Sequence, residues 1–451
     1  MHYGLIIKNG IFAAPRRSES FQGDIAVCNG KIAAAGKLDD GDTADEVYDA
    51  NRKLILPGII DAHVHFRDPG LTEKEDFESG SLSAAFGGVT CVADMPNVLP
   101  VTSTAQRFNE KVCIAKAKSY IDFALFALLP NEEDEMEKLR KAGALGFKVF
   151  LGTSTGDIAA PAPGVLIERM RQCAASGMRV GFHAETSELN SYFTAICREK
   201  TDAPDGQLLA EARPVISEVI AIQTAICYAQ YTGAKIHIHH VTSSDGLQLI
   251  KMAKRNVEIT SETCPHYLFL DSRCPQANKV YPPIRDKSHR EALCRALQEM
   301  DGIDIIASDH APHTSAEKAL PLWEAPAGLC GVETLVPLML NEAANGNLSL
   351  HDIALLMSEA PAKIWGIYPQ KGNFLPGADA DFTIVDMNKK KKRKISLGGL
   401  HSKSKTSPYD GMETQGSVEC TVVRGKFIVK DGILAGEKGY GVLVSPALSP
   451  T

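Results

Sequence analysis

The chain has 451 residues, of which 44% are hydrophobic and 23% are charged. These are ordinary values for a globular protein, and they exclude a disordered chain, a collagen-like chain and a coiled coil. Lys and Arg total 48 against 55 Asp and Glu, and this acidic excess argues against a nucleic-acid-binding surface. With no apolar run of about 18 residues, we expect no membrane span. The 11 scattered cysteines form no CxxC pair, which favours reduced thiols in a cytoplasmic protein.

The two ends of the chain share one pattern. Residues 1–54 contain short apolar stretches bounded by Gly, Asn or Pro, such as GLIIKNGIF and DIAVCNGKIAAAG. Residues 370–451 repeat this pattern in DADFTIVDM, CTVVRGKFIVKDG and YGVLV. Such stretches predict short strands joined by turns. We expect the two ends to combine in one small β-sandwich.

The central residues 55–369 alternate between β-rich apolar runs and longer amphipathic stretches. Eight candidate strands lie in the runs ILPGIIDAHVHF, GVTCVADMPN, YIDFALFALL, LGFKVFLG, RVGFHAE, KIHIHHVTS, VEITSETCPHYL and IDIIASDHAPH. Eight βα units predict an α/β fold of the (β/α)₈ type, a TIM-like barrel. The alternative, a doubly wound open sheet, needs a Gly-rich phosphate turn after its first strand. DAHVHFRDPG takes that place, so we favour the barrel.

A basic run extends from Lys389 to Lys394, just after a predicted strand. Such a run can be a localisation signal or a polyanion-binding segment. It can also be an ordinary solvated loop, which we favour because the chain as a whole is acidic.

Polar residues that bind metals recur at the predicted strand ends, where the active site of such a barrel lies. His63 and His65 alternate on the first strand, so both imidazoles point to one face. Several His and one Asp at one end of a barrel predict a metal site rather than a structural cluster. The other candidates at strand ends are Lys148, His183, His239, His240 and Asp309.

Lys148 differs from the other candidates because an ammonium group is unfavourable beside divalent cations. A buried Lys loses its proton easily, and the neutral amine can react with CO₂ to give a carbamate that bridges two metals. Alternatively, Lys148 pairs with an acidic residue or with a substrate anion. The spacing alone leaves both interpretations open.

Seven motifs in order resemble the cyclic-amidohydrolase branch of the amidohydrolase superfamily, which includes dihydroorotases, allantoinases and hydantoinases. They are DAHVHFRDPG, ADMPN, GFKVFLG, GFHAE, HIHHVTS, SETCPHYLFLD and SDHAPH, and the similarity extends from LIIKNG to VVRGKFIVKDG. The resemblance implies that His63, His65 and Asp309 bind a first metal, and that Lys148 is the carboxylated lysine bridging two metals. It implies that His183 and His240, rather than His239, bind the second metal.

The resemblance also implies a mechanism and a set of cofactors. Two divalent ions, Zn²⁺ before Co²⁺ or Mn²⁺, would activate a water and polarise the scissile amide. Asp309 would carry the proton from that water to the leaving nitrogen. A homodimer is a further expectation from the family. His237 is a candidate for orienting a neighbouring ligand, although we favour a space-filling role.

The substrate is predicted from three more positions that match the carboxylate-binding residues of dihydroorotases: Arg67, Asn97 and His313. A substrate carboxylate suits the planar fork of Arg, whereas the alternative for Arg67 is a surface salt bridge with Asp68 or Glu73. We therefore expect L-dihydroorotate as the substrate, in pyrimidine biosynthesis.

Three positions depart from the dihydroorotase pattern and keep other substrates open. SETCPHYL resembles the hydantoinase and allantoinase branches, Val98 replaces a usual Thr, and Tyr281 stands where Asn or Arg is usual. Allantoin is therefore the second expectation, and hydantoins or dihydropyrimidines are the third. A non-catalytic assembly protein of the same branch is disfavoured because all six ligand positions are filled.

Overall fold

The computed structural model describes residues 1–15, 19–39, 41–152, 158–159, 161–200, 203–273, 279–388 and 392–447. It has a mixed α/β fold, which confirms the predicted class. No helix among these residues is both long and apolar enough to span a bilayer. Each of the eight predicted central runs contains a strand.

The N-terminal strands are β1 His2–Phe12, β2 Phe21–Cys28, β3 Lys31–Gly36, β4 Thr43–Asp49 and β5 Leu54–Pro57. The central strands are β6 Ile59–Val64, β7 Val89–Asp94, β8 Asp122–Leu125, β9 Ala127–Leu128, β10 Phe147–Phe150, β11 Val180–His183, β12 Ile236–Ile238, β13 Ile259–Thr263 and β14 Ile305–Ile306. The C-terminal strands are β15 Phe382–Asp386, β16 Lys392–Lys394, β17 Glu413–Gln415, β18 Ser417–Val423, β19 Lys426–Lys430 and β20 Ile433–Leu434.

The helices mostly follow the central strands. They are α1 Phe77–Phe86, α2 Ala105–Lys118, α3 Glu133–Ala142, α4 Pro163–Ser176, α5 Ser187–Cys197, α6 Asp205–Ala212, α7 Val215–Thr232, α8 Ser244–Ala253, α9 Pro265–Phe269, α10 Lys287–Gln298, α11 Ser315–Lys318, α12 Leu335–Ala344, α13 Leu350–Ala354 and α14 Ala360–Ile364. A π-helical turn at Leu355–Glu359 joins α13 to α14, and a 3₁₀ turn spans Leu397–Gly399.

Local sequence explains several helix ends. The Asp76 side chain accepts a hydrogen bond from the Ser79 amide and begins α1, as a favourable N-cap does. Thr104 caps α2 in the same way. Gly233, with φ of 73°, ends α7 in the left-handed conformation that glycine adopts without strain.

The central strands form two parallel sheets in the described residues, β6-β7-β8 and β14-β13-β12-β11-β10-β9. Only Phe126 separates β8 from β9, and its amide donates to Asp94 O at 3.0 Å. At the other edges, the His65 amide donates to His310 O at 2.7 Å, next to a parallel bridge between Val64 and His310. These contacts fit the predicted ring of eight strands; a closed barrel stays a prediction.

Strands from both chain ends share one nine-stranded sheet in the described part of the chain. In this terminal sheet, β5 pairs with β1 in parallel and with β15 in antiparallel orientation. Phe12, Ile55 and Phe382 belong to its buried apolar cluster. The two-layered sandwich and the proposed boundaries at residues 54 and 370 stay predictions.

Two expectations about local structure need correction. The run ILPGIIDAHVHF is not one strand: β5 belongs to the terminal sheet, and β6 starts the central strands after Gly58. In the basic run, Lys392–Lys394 form the exposed strand β16, paired with β17, rather than a loop. Lys389–Lys391 lie outside the described residues.

Candidate active site

A cavity of about 380 Å³ lies at the carboxyl ends of the central strands. Strand ends meet there because parallel strands all point the same way. Among the described residues, its wall includes the six predicted metal ligands and two of the three predicted substrate contacts: His63, His65, Arg67, Asn97, Lys148, His183, His240 and Asp309.

Three of these side chains form a first group of converging donor atoms. The Nε2 atoms of His63 and His65 each lie 3.3 Å from Oδ1 of Asp309. All three side chains are buried. Two imidazole nitrogens and one carboxylate oxygen are a donor set that suits Zn²⁺, so these residues fit the first predicted metal position.

His183 and His240 form a second group on the same cavity wall. Nδ1 of His183 lies 3.0 Å from Nε2 of His240, and both rings are buried. Two ring nitrogens that face each other fit a position where both present lone pairs to one cation.

Lys148 lies on the same wall and is 1% exposed. Burial lowers the pKa of its ammonium group to about 8. The carboxylates of Glu262 and Asp309 oppose this shift without outweighing burial, and among the described residues neither forms an ion pair with its Nζ. The Nζ lies 5.2 Å from the centre of the Phe150 ring.

Glu262, on β13, orients the first His. Its carboxylate contacts Nδ1 of His63, and it lies 3.0 Å from Nδ1 of His239 and 3.1 Å from Nε2 of His237. A carboxylate that accepts the Nδ1 proton of His63 leaves its Nε2 as a lone pair for a metal. His237 is therefore part of a polar network rather than a space-filling residue. Gly181 makes room, because a Cβ there would clash with His239.

Glu185 plays the corresponding role for His183. Its Oε2 lies 2.8 Å from Nε2 of His183, and Nε of Arg213 donates to its Oε1 at 2.9 Å. Burial opposes ionisation of Glu185, but Arg213 and His183 outweigh it and lower its pKa to about 2. The ionised carboxylate thus fixes the His183 tautomer with Nδ1 toward His240.

The backbone at the site is strained. Arg67, His240 and Asp309 have φ of 62°, 39° and 47°, in the left-handed region that non-glycine residues rarely adopt. Each such residue costs on the order of 1–3 kcal/mol, and such strain concentrates at functional sites.

The three predicted substrate contacts differ in their position relative to the cavity. Arg67 is 1% exposed, so the alternative of a surface salt bridge is wrong. Its Nε donates to Pro312 O at 3.2 Å, and no described carboxylate lies within ion-pair distance. His313 lies behind Arg67 and off the cavity wall, with its Nε2 3.0 Å from Ala327 O. Burial, Arg67 and Lys74 lower the pKa of His313 to about 2, so it is neutral.

Asn97 has a contact that the sequence did not predict. Its Oδ1 lies 2.8 Å from Nδ1 of His65, where a carbonyl oxygen accepts the ring proton and leaves Nε2 free for a metal. A substrate contact of Asn97 stays a prediction. Tyr281 also lines the cavity, and its ring centre lies 3.7 Å from the Arg213 guanidinium.

Sequence reasoning missed Glu262, Glu185 and Arg213. Strand alternation was a signal for Glu262, since residues two apart on β13 share a face and Thr260 and Glu262 both contact His237. Glu185 follows His183 by two residues and could have been found in the same way. Arg213 lies 28 residues further along the chain and carried no local signal.

The chain is similar in sequence and in structure to known proteins. Residues 54–428 match the Amidohydrolase family. The chain is 34% identical to a dihydroorotase of Methanosphaera stadtmanae, over 86% of this chain and 88% of that protein. It is also 34% identical to an allantoinase of Deinococcus radiodurans, over 97% of both chains. The solved structure of an L-hydantoinase (dihydropyrimidinase) from Arthrobacter aurescens has a TM-score of 0.92 and 33% identity, covering 98% of this chain and all of that one.

Proposed function

Because the chain belongs to the amidohydrolase family, we propose that it hydrolyses a cyclic amide, with L-dihydroorotate as its substrate. The reaction would interconvert L-dihydroorotate and N-carbamoyl-L-aspartate, a step of pyrimidine biosynthesis. One observation carries the choice of substrate. A buried Arg67, without a carboxylate partner among the described residues, lies on the wall of the cavity beside the His and Asp cluster.

The proposal includes a closed (β/α)₈ barrel with the active site at its carboxyl end. The strand order of the central sheets and the bridge between Val64 and His310 support it. The conserved position of active sites in such barrels also supports it, since the cavity lies where they lie. A homodimer and a cytoplasmic location remain part of the proposal.

His63, His65 and Asp309 would hold one divalent ion, and His183, His240 and a carboxylated Lys148 would hold the other, with Zn²⁺ as the proposed metal. When bound, the two ions would lower the pKa of a water and polarise the substrate carbonyl. Lys148 can be carboxylated because burial favours its neutral amine. Its Nζ forms a bond to the carbon of CO₂ and releases one proton, which leaves a negative carbamate.

Asp309 is the proposed proton carrier. Its carboxylate takes a proton from the attacking water as the new carbon–oxygen bond forms. When the ring carbon–nitrogen bond breaks, Asp309 returns that proton to the nitrogen. Burial opposes ionisation of Asp309, but His65 outweighs it and lowers its pKa, so the carboxylate is ready to accept the proton.

Arg67 would hold the substrate carboxylate through a bidentate, charge-assisted contact. The neutral His313 lies behind the guanidinium, with its Nε2 3.3 Å from an Arg67 terminal nitrogen. The contact of Arg67 Nε with Pro312 O orients the guanidinium before any substrate arrives.

Allantoin is the second candidate substrate. The allantoinase of Deinococcus radiodurans aligns over more of this chain than the dihydroorotase of Methanosphaera stadtmanae does. Tyr281, on the cavity wall, also stands where dihydroorotases usually place Asn or Arg. Hydantoins and dihydropyrimidines are third, and a non-catalytic role is disfavoured because all six predicted ligands line one cavity.

The test compares kcat/KM for ring opening of L-dihydroorotate, allantoin and dihydrouracil. We expect L-dihydroorotate to be the best substrate. Arg67→Met should lower its kcat/KM on the order of 10- to 100-fold, since charged hydrogen bonds contribute roughly 1.5–3 kcal/mol. Arg67→Lys should recover part of the loss, because it keeps the charge without the planar fork.

Dihydrouracil has no carboxylate, so its hydrolysis should change little in the Arg67 variants. The exposed Arg107→Met is the matched control and should leave all three rates unchanged. An equal loss on L-dihydroorotate and dihydrouracil in Arg67→Met would show that Arg67 supports the site rather than the carboxylate. Preferred turnover of allantoin would contradict the assignment of the substrate.

A further inference from the structure

A second cavity, of about 780 Å³, lies at the opposite ends of the central strands. Its wall includes Arg179 and Lys235, which directly precede β11 and β12, and Leu145, which lies two residues before β10. The first cavity lies at the carboxyl ends of the same strands. The second cavity is the larger of the two.

The wall of this second cavity is rich in positive charge. Four cationic side chains line it, Arg140, Arg179, Lys235 and Lys363, against one carboxylate, Glu258. Glu258 is shared, since it lies 2.9 Å from an Arg179 nitrogen and 3.5 Å from Lys235 Nζ.

Two of the cations have other partners outside the wall. Arg140 pairs with Glu137 at 2.7 Å, and Lys363 pairs with Glu359 at 2.7 Å. The four cations and these three carboxylates together leave an excess of one positive charge. The wall also contains Trp365, which is 2% exposed and whose indole Nε1 has no hydrogen-bond partner among the described residues.

We propose that the second cavity binds a small anion carrying phosphate or carboxylate groups, and that its occupancy is coupled to the metal site. An anion there would share Arg179 and Lys235 with Glu258 and would offset the excess positive charge. Arg and Lys around a concave site are the usual means of holding such groups. This proposal does not depend on which cyclic amide the enzyme hydrolyses.

A continuous chain of hydrogen bonds connects the two cavities. Arg179 donates to Thr260 Oγ1 at 3.3 Å, and that oxygen lies 2.8 Å from Nδ1 of His237. The other ring nitrogen of His237 lies 3.1 Å from Glu262, which contacts His63. A ligand that moves Arg179 therefore changes the group that orients His63. By linkage, metal and anion must change each other's affinity by the same factor.

Binding can be measured with a built-in reporter, because the chain has only two tryptophans, Trp323 and Trp365. In metal-loaded Trp323→Phe protein, Trp365 fluorescence is followed during titration with sulfate or succinate, against chloride at equal ionic strength. We expect a saturable change with one or both anions. A response to sulfate indicates a phosphate-type ligand, and a response to succinate indicates a dicarboxylate.

Charge variants assign the change to the cavity. Lys235→Gln and Lys363→Gln should each raise the Kd at least fivefold, whereas Lys438→Gln, at a surface pair with Glu78, should leave it unchanged. No saturable change with either anion would overturn the proposal. An equal Kd in the Lys235 and Lys363 variants and in the control would also overturn it.

The coupling is tested by the affinity of the protein for metal, measured by competition with a chelator at equilibrium, with and without the bound anion. We expect that affinity to change at least twofold in the parent protein. Thr260→Val, which cuts the chain of hydrogen bonds, should keep anion binding and lose the change. Thr263→Val is the matched control on the same strand, since its hydroxyl donates to Val241 O instead. A metal affinity that is the same with and without the anion in the parent protein would refute the coupling.

Discussion

Lys148 and Lys371 are both fully buried lysines, and their surroundings differ in one decisive respect. Lys371 lies between Asp122, Asp379 and Asp381, with Nζ 2.5, 2.9 and 2.7 Å from their oxygens. Burial opposes its charge, but the three aspartates outweigh burial and hold its pKa well above the usual value. Lys148 has no such partner among the described residues, and burial alone lowers its pKa to about 8.

The Lys371 cluster, formed with Asp122, Asp379 and Asp381, therefore serves a different purpose from the groups around Lys148 in the first cavity. Around Lys371, Arg424 and Lys31 add positive charges to match the three carboxylates, so the cluster is neutral and saturated. It joins β8 of the central strands to the terminal sheet. The three aspartates have the composition of a metal site, but the Lys371 ammonium already occupies it. Around the first cavity, by contrast, imidazole nitrogens and the Asp309 carboxylate converge, and this donor set suits a divalent metal.

The first prediction removes the unpaired lysine. Lys148→Ala should lose bound metal and activity together while the protein stays folded. Losing a catalytic metal costs several kcal/mol of transition-state stabilisation, so kcat/KM should fall at least about 10³-fold. Short carboxylic acids supplied with CO₂ should restore part of both, and full activity in the unsupplemented variant would rule out the carbamate.

The second prediction removes the paired lysine. Lys371→Met leaves three buried carboxylates without their central cation, which should lower the free energy of unfolding by about 3–5 kcal/mol. Denaturant unfolding measures this loss, with Lys438→Met as a surface control. The folded fraction should keep its metal content, and a loss of metal without a loss of stability would reverse the proposed roles of the two clusters.

The third prediction concerns the proton carrier in the first cavity. Asp309→Asn should keep the fold and most of the substrate affinity, with kcat lowered about 10²- to 10⁴-fold, the usual contribution of general acid–base catalysis. Steady-state kinetics and circular dichroism check the two parts. A kcat near that of the parent would mean that another group carries the proton.

The fourth prediction is a pH dependence. The pKa of Asp379 is lowered, because Lys371 and Lys31 outweigh burial, so its stabilisation is present above about pH 3.8 and lost as the pH falls through the folded-state pKa. The raised pKa of Lys371 gives a contribution that is complete below about pH 10.5 and lost only as the pH rises further. Asp381 has its pKa raised to about 6 by burial even with Lys371 present, and loss of the ammonium raises it further. The stability difference between parent and Lys371→Met should therefore shrink as the pH falls from about 8 to 5, because the variant's carboxylates take up protons more readily. A difference that is the same at pH 8 and pH 5 would contradict this.

The contrast between the clusters also explains what the sequence could predict. His63, His65, His183, His240 and Asp309 lie at strand ends, where local alternation and strand order are enough to bring them together. The Lys371 cluster was not foreseen, because Lys371 and Asp122 are 249 residues apart and neither lies in a recognisable motif. Strand alternation was a signal for the face on which Glu262 lies, but its contacts with three His side chains are evident only in the structure.

The fold, like the site, has parts that the sequence could predict and parts that it could not. Periodicity was enough to predict the eight runs in which the central strands β6–β14 lie, since apolar runs bounded by turns leave few alternatives. It could not predict that β5 would join the terminal sheet, because pairing partners such as β15 lie more than 300 residues away. Periodicity also could not tell whether Asn97 contacts His65 or the substrate, because a residue just after β7 could do either.

Metal content per chain tests the central claim most directly, namely that the first cavity binds two divalent ions and the Lys371 cluster binds none. Purified parent, Lys148→Ala and Lys371→Met proteins would be stripped with a chelator, reloaded with Zn²⁺ and measured by elemental analysis. We expect two ions per chain in the parent, fewer than two in Lys148→Ala and two in folded Lys371→Met. Two ions in Lys148→Ala, or a loss confined to Lys371→Met, would contradict the account.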